Sequence, residues 1–422
     1  MKLVVSQNDR SILRDLAKRY RELCESECNQ ELIEDWRRLN NMKPCRPMIY
    51  ANDNLLKDEI SQQIPKCRVE NDLLRGHEWQ LNWSLNWSAT LHDDRIFDPW
   101  LIVPAPRFQH AEGVWGIRPD KVRDATSRGW RHMPVLKTIE DVRKLKATEH
   151  RVLDPNPPLA LMLEDIFGDI LPVHVARHSV YEVWGGTDLS EAAGALFGLE
   201  ELLQALYTDP EMVHELMAFT RDAVLANLKQ GEAAGDWSTP VSFYYVTPAY
   251  CDDLPDPSPN GYGAKLKDIA WFFHAQEFDG VSPGMFEEFL FDYQLPIMEL
   301  FGRVAYGCCE TLDTKLQVLK RLPNMTKILS GPRSDPARFP EAYGNKCVIS
   351  WRPLAAIITA GCFNEEAQRA QIREGLAKLE GCNIEIHMHE PMTVHGDLER
   401  VRKWVRIVRE ETVKFLGRND GR

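Results

Sequence analysis

From residue 96 onward the sequence alternates between short apolar runs and longer amphipathic segments. The apolar runs fall at 100–103, 171–176, 241–246, 270–273, 304–307, 327–330, 347–351 and 384–389. Segments that read as helices lie at 138–146, 197–206, 210–230, 284–300, 312–321, 336–343, 364–379 and 397–415. Several open on helix-start signals, as in Ser282-Pro283, Thr208-Asp209-Pro210 and Asp335-Pro336. There a side-chain oxygen accepts from the first-turn N–H groups, and proline removes only an N–H that would have had no partner. Strand then helix, repeated about eight times, is the pattern of a (β/α)8 barrel. A doubly wound sheet is the competing α/β fold. The count favours the TIM-type barrel, and no Gly-x-Gly-x-x-Gly follows an early strand.

The first 95 residues read differently. Residues 9–40 form one helical pattern, with Ile12, Leu13, Leu16, Ala17 and Tyr20 on a stripe that Leu32, Ile33 and Trp36 continue. Pro44, Pro47 and Pro65 punctuate the stretch after it, and 66–92 returns to helix. Trp79, Trp83 and Trp87 stand on one face of that second helix, a spacing that favours packing over ligand binding. The expected division is a helical N-terminal extension, 1–95, and a barrel, 96–422. The stretch 146–158 reads as a loop or linker, as does 251–264 with its Pro255, Pro257 and Pro259.

Charge and hydropathy exclude several classes. Lys and Arg number 51 against 63 Asp and Glu, a net charge of −12. A general nucleic-acid or anionic-membrane binder needs a basic surface, so neither is an expected partner. Met1–Val5 is too short for the core of a signal peptide, and no long apolar window suits a membrane span. The expected compartment is the cytoplasm, where the ten cysteines are reduced thiols.

In a barrel, chemistry sits at the C-terminal ends of strands. The last strand, Asn383-Ile384-Glu385-Ile386-His387-Met388-His389-Glu390, puts Glu385, His387 and His389 on one face by its period of two. Three ionisable groups facing inward are costly unless they bind a metal, a proton or a polar ligand. Tyr306-Gly307-Cys308-Cys309-Glu310 ends another strand. Adjacent strand residues face opposite ways, so both sulfurs meet one ion only if the chain turns, which Gly307 permits. Thiolate with imidazole and carboxylate is a common zinc set, and buried structural thiols are the competing reading. A third strand end offers His274 and Glu277, and a fourth offers His174 and His178, although a lone histidine is more often a satisfied core residue. A fifth offers Trp351 and Arg352, an aromatic and a cation suited to an aromatic or anionic ligand. Gly-x-x-x-x-Gly-Lys-Ser/Thr, Gly-x-Ser-x-Gly and His-Glu-x-x-His do not occur.

At these residues the chain resembles the uroporphyrinogen decarboxylase superfamily, and most of all its corrinoid-dependent methyltransferase components. The resemblance is carried by Arg46-Pro47-Met48-Ile49-Tyr50, Gly198-Leu199-Glu200, Gln276-Glu277, Ser282-Pro283-Gly284-Met285-Phe286-Glu287-Glu288-Phe289, Tyr306-Gly307-Cys308-Cys309-Glu310 and Met392-Thr393-Val394-His395-Gly396-Asp397, with Trp404 beyond. It implies a barrel with its site at the C-terminal mouth and zinc held by strand-end ligands. The matching positions are Cys308 or Cys309, Glu277 and a group on the last strand, for which His387 is the candidate. Related coenzyme M methyltransferases use His-x-Cys where this chain has Tyr306-Gly307-Cys308, so the ligand set does not transfer residue for residue.

The resemblance further implies transfer of a methyl group from a small donor, such as an aromatic methyl ether in an O-demethylase system, to Co(I) of a corrinoid. Asp-x-His-x-x-Gly, which would hold that corrinoid, is absent. The corrinoid is therefore expected on a separate corrinoid protein. Glu277, His387, His389 and Tyr306 are the expected catalytic groups, with His174, Phe273, Trp351 and Arg352 around the substrate. The alternative is a metal-independent decarboxylase in which Arg352 and Arg177 hold carboxylates, although the N-terminal segment at Arg46 lacks the arginine-rich loop of true uroporphyrinogen decarboxylases.

Overall fold

The computed structural model describes residues 5–105, 112–123, 130–151, 154, 156–181, 188–239, 243–244 and 246–419. Twelve strands are described: β1 Met48–Tyr50, β2 Leu101–Pro104, β3 Lys121–Arg123, β4 Trp130–His132, β5 Val173–Ala176, β6 Phe243–Tyr244, β7 Thr247–Pro248, β8 Ala270–Phe273, β9 Arg303–Tyr306, β10 Met325–Ser330, β11 Val348–Trp351 and β12 Asn383–His387. Six of them form one parallel sheet in the order β1-β12-β11-β10-β9-β8. From β8 to β12 the neighbours follow chain order, each joined to the next through helical turns or helices, as parallel pairing requires. β8, β9 and β11 are buried along their whole length. That is why they read as unbroken apolar runs and not as alternation.

Two registers position the candidate site. Tyr50 lies opposite His387, and Phe273 lies opposite Tyr306. β2 and β5 pair in parallel as a separate ribbon, while β3–β4 and β6–β7 are antiparallel hairpins. The architecture is thus mixed α/β around a six-stranded parallel sheet. Closure of eight strands into one barrel is not seen among the described residues. The apolar run at 241–246 appears as one half of the β6–β7 hairpin, with 240–242 and 245 outside the described residues.

Other expectations change in detail. The helical pattern at 9–40 is two helices, Gln7–Glu25 and Glu27–Asn40, divided at Ser26. Ser26 leaves the helical conformation, and its hydroxyl accepts from Asn29 N as the cap of the second helix. The pattern at 66–92 is realised as Asp72–Thr90, capped by Asn71. The helix expected at 284–300 runs from Pro283 to Met298 but widens at Glu287–Phe291 into a π-type turn, one turn ahead of Pro296. Proline has no N–H to give the preceding turn, and a widened turn absorbs the missing bond. β1 was not legible at all. Three residues after a proline carry no periodicity, and only pairing with β12 makes them a strand.

The tryptophan stripe does pack. Trp79 and Trp83 stack at 6.3 Å, and Trp83 and Trp87 lie 5.5 Å apart. The Arg95 guanidinium sits over Trp83, Trp87 and Tyr50 while bonding Asp53 and the Ala51 carbonyl. A cation held between aromatic faces thus fastens the N-terminal helices to the end of β1. None of the described helices is long and apolar enough to cross a membrane.

The helix Glu365–Lys378 covers β11 through Gly375, where a Cβ would stand 2.1 Å from the Trp351 ring. Gly375→Ala is therefore expected to destabilise the protein by about 1–3 kcal/mol through overpacking, despite alanine's better helix propensity. Urea unfolding of the variant beside the parent measures it.

Candidate active site at the ends of the parallel strands

β9 ends at Tyr306, and the chain turns at Gly307 with φ +108°. A side chain there would meet Leu312 and Leu329, so glycine is required twice over. The turn breaks strand alternation and brings the Cys308 and Cys309 sulfurs to 3.5 Å. Cys308 is buried and Cys309 partly open. The hydrogen bond from the Cys308 thiol, the His389 ring and the Arg352 guanidinium together pull the Cys309 thiol well below its usual range, against the effect of burial. Cys308 is correspondingly held as the neutral partner. Arg352 Nη1 donates to the Cys308 carbonyl at 2.9 Å and reaches its sulfur at 3.7 Å. The result is a thiolate corner assembled from β9, the end of β11 and the segment after β12.

The last strand behaves otherwise than the metal expectation. Glu385 and His387 do share the inward face, with His387 Nδ1 3.6 Å from Glu385 Oε1. Glu385 is bound by Lys327 Nζ at 2.5 Å, Ser350 at 2.7 Å and Thr247 at 3.2 Å. Burial opposes its charge, but Lys327 and His387 outweigh burial and hold the carboxyl well below the usual range. His387 packs edge-on against Tyr50, with Nε2 3.3 Å from the Asn52 amide. Burial and the Arg352 charge lower its pKa to about 4, so the ring is neutral. His389 lies beyond the strand end and turns to Cys309 instead.

A second cluster forms beside the thiols, at the end of β8. Asp188 precedes the helix Leu189–Phe197 and caps it by accepting from Ser190 N. Its other oxygen accepts from His274 N at 2.7 Å and lies 3.5 Å from His274 Nδ1. Both residues are essentially inaccessible, at 0% and 1% exposure. Burial disfavours the charged ring, but Asp188, Glu310, Glu277 and Glu191 outweigh it and raise the His274 pKa. His274, Glu191 and Glu277 line a cavity of about 620 Å³, together with His132, Met133 and Leu199 among others. Glu277 accepts from the Ser190 hydroxyl at 2.5 Å. Its Cγ lies 2.5 Å from where a Cβ on Gly194 would stand, so only glycine lets that helix approach.

The four residues expected to hold metal therefore divide. Cys308 and Cys309 meet, Glu277 faces the cavity, and His387 faces Asn52 and Tyr50. Among the described residues, no three His, Cys, Asp or Glu side chains stand as a metal-holding group. Tyr306 is buried and donates to Gln294 at 2.7 Å, and Phe273 is buried against Phe301. Trp351 is covered by the helix at Gly375. His174 is fixed between the Pro259 carbonyl and Ser238 and stacks on Tyr262. Of the candidate residues, Glu277 and His274, both from the end of β8, line the cavity. Sequence reading missed Asp188, Glu191 and Glu310. Glu310 was visible as the last residue of the Cys-Cys-Glu block, whereas Asp188 and Glu191 follow no apolar run and carried no signal.

Breaking the Lys327–Glu385 pair leaves a buried carboxylate without its cation. Lys327→Met is expected to lower stability at neutral pH by about 3–5 kcal/mol. The depressed carboxyl contributes stability above its unfolded pKa and loses it as pH falls. The gap between parent and variant should therefore narrow below the carboxylate range, which unfolding curves at neutral and acidic pH would reveal.

No family model matches the chain, and no curated protein matches it. Among solved structures, a methyltransferase from Methanosarcina mazei is similar with 11% sequence identity and a TM-score of 0.46, over 90% of this chain and 98% of that one.

Proposed function

We propose that this protein is a methyltransferase built on a (β/α)8 barrel; the expected division at residue 96 does not hold, because β1, from the segment 1–95 expected to be a helical extension, pairs with β12 in the parallel sheet. It moves a methyl group from a small donor, an aromatic methyl ether being the favoured class, to Co(I) of a separate corrinoid protein in the cytoplasm. The observation that carries the reading is the thiolate corner. Two sulfurs 3.5 Å apart at a parallel strand end, beside an imidazole and a guanidinium, are an arrangement for reactive or metal-binding chemistry and not for inert packing.

Zinc suits the corner by donor chemistry, since a pair of cysteines that lose their protons as the metal binds holds it well. The carboxylate and imidazole expected to complete the set, Glu277 and His387, point elsewhere. Cys308 and Cys309 are the residues that would hold zinc. When bound there, zinc would supply Lewis-acid polarisation of a donor oxygen. The protein's own contribution is to fix the corner: Gly307 sets the turn, Glu310 accepts from Cys308 N at 2.9 Å, and Arg352 holds the Cys308 carbonyl. The decarboxylase alternative needs cations open to substrate carboxylates. Arg177 is paired with Asp236, and Arg352 is bound to Cys308.

Elemental analysis of the purified full-length chain should find about one zinc, lost in Cys308→Ala and in Cys309→Ala. Methyl transfer from an aryl methyl ether to free cob(I)alamin should fall with the metal. Undiminished transfer after chelation would remove zinc from the mechanism. Release of CO2 by a metal-free protein would favour the decarboxylase.

A further inference from the structure

The chain carries ten cysteines, and among the described residues Cys308 and Cys309 are the two whose sulfurs are in contact. Successive residues of a strand point to opposite faces, so neighbouring cysteines are normally kept apart. Here the chain leaves the strand. β9 ends at Tyr306, and Gly307 turns with φ +108° where Leu312 and Leu329 leave no room for a side chain. The turn brings both sulfurs together at 3.5 Å. Three hydrogen bonds hold it. Gly307 N donates to the Phe273 carbonyl at 2.8 Å, Cys308 N to Glu310 at 2.9 Å, and Arg352 Nη1 to the Cys308 carbonyl at 2.9 Å. The two thiols differ in access. Cys308 is 2% exposed, with Arg352 Nη1 3.7 Å from its sulfur, whereas Cys309 is partly open. A small reagent from solvent therefore meets Cys309 first and finds Cys308 behind it. That is the arrangement of a reacting thiol with its resolving thiol. Cys28 and Cys362 are exposed but stand outside that contact.

We propose that Cys308 and Cys309 are a modification site, closed by a peroxide into a reversible disulfide between adjacent residues. One peroxide oxygen passes to the Cys309 sulfur as the O–O bond breaks, giving a sulfenic acid and a water. The Cys308 sulfur then attacks the Cys309 sulfur. The S–S bond forms, the S–O bond breaks, and the hydroxyl leaves with the Cys308 proton as a second water. The thiols together lose two electrons and two protons, and the peroxide is reduced to two waters. Closing 3.5 Å to a bond of about 2.0 Å asks for a movement of about 1.5 Å, and Cys309, on the open side, has the freedom to make it. Reversibility follows from the covalent geometry. Consecutive Cα atoms stand about 3.8 Å apart, closer than the roughly 4.4–6.8 Å that an ordinary disulfide spans. A bridge between neighbours is therefore strained and easily reduced. While it is closed, no thiolate is left at the corner, so the disulfide and a bound metal are alternative states of the same two residues. Closure needs neither zinc nor a methyl donor, so it stands or falls apart from the methyl-transfer reading.

The test is peptide mapping of the full chain. After a chelator has removed any bound metal, the chain is treated with hydrogen peroxide, its remaining thiols are blocked with iodoacetamide, and it is digested with trypsin. The peptide Val304–Lys315 carries both cysteines and no others. It is expected unlabelled and lighter by two hydrogens, and doubly labelled again when dithiothreitol follows the peroxide. In Cys308→Ser, Cys309 should stop at the sulfenic acid and be trapped by dimedone. In Cys309→Ser, the buried Cys308 should take far less of that label. A doubly labelled peptide from a chain whose exposed Cys28 and Cys362 have been oxidised overturns the proposal. So does an end point at sulfinic acid, a bridge that resists dithiothreitol, or equal dimedone labelling of the two variants. A chain that closes the bridge yet methylates no cobalt keeps this site and loses the methyl-transfer reading.

Discussion

One buried carboxylate organises the candidate site. Glu310 has 1% exposure, and its two oxygens each accept a backbone N–H, one after β8 and one after β9. A carboxyl in that position cannot be solvated: burial raises its pKa, and His274 and the two N–H dipoles offset that only in part. The consequence is geometric. The Cys308 turn and the His274 turn are tied to a common point, and neither can move without leaving Glu310 unsatisfied. The thiolate corner and the imidazole cavity are two halves of one fixed strand-end platform.

The platform works because the sheet below it is parallel and buried. Parallel strands deliver every C-terminal end to the same side, and their apolar runs leave polar residues only where the runs stop. Inside the sheet, charge is neutralised locally. Lys327, Ser350 and Thr247 surround Glu385, and His387 stays neutral between Tyr50 and Asn52. Those groups hold the interior together, while above them Cys309 is partly open and Glu191 and Glu277 line a cavity. A buried network fully paired and a second network facing a cavity are different things, even when the residue types are the same.

Much of this was legible residue by residue. Period-two reasoning placed Glu385 and His387 on one inward face, and it identified Gly307 as the turn that would let both cysteines meet. It could not say what His387 would meet, because its neighbour is β1, three residues without a pattern. Glu277 was visible at a strand end, but its partner Ser190 and the close approach at Gly194 belong to a helix whose start follows no apolar run. Asp188, the partner of His274, is separated from it by 86 positions in sequence. Hydrophobic periodicity reports which face a residue takes and is silent about distant partners.

The sequence by itself determined the α/β class, the strand ends at which ionisable groups would stand, and the turn at Gly307. Each follows from local physics: side-chain alternation, capping chemistry and the one residue that tolerates positive φ without strain. Only the tertiary structure decided that β1 would lie beside β12, that His387 would be sealed in the interior while His389 turned to the thiols, and that Asp188 and His274 would meet at the floor of a cavity. Those outcomes depend on pairings between distant segments. Their energies come from burial and charge compensation in three dimensions, and no local pattern along the chain encodes them.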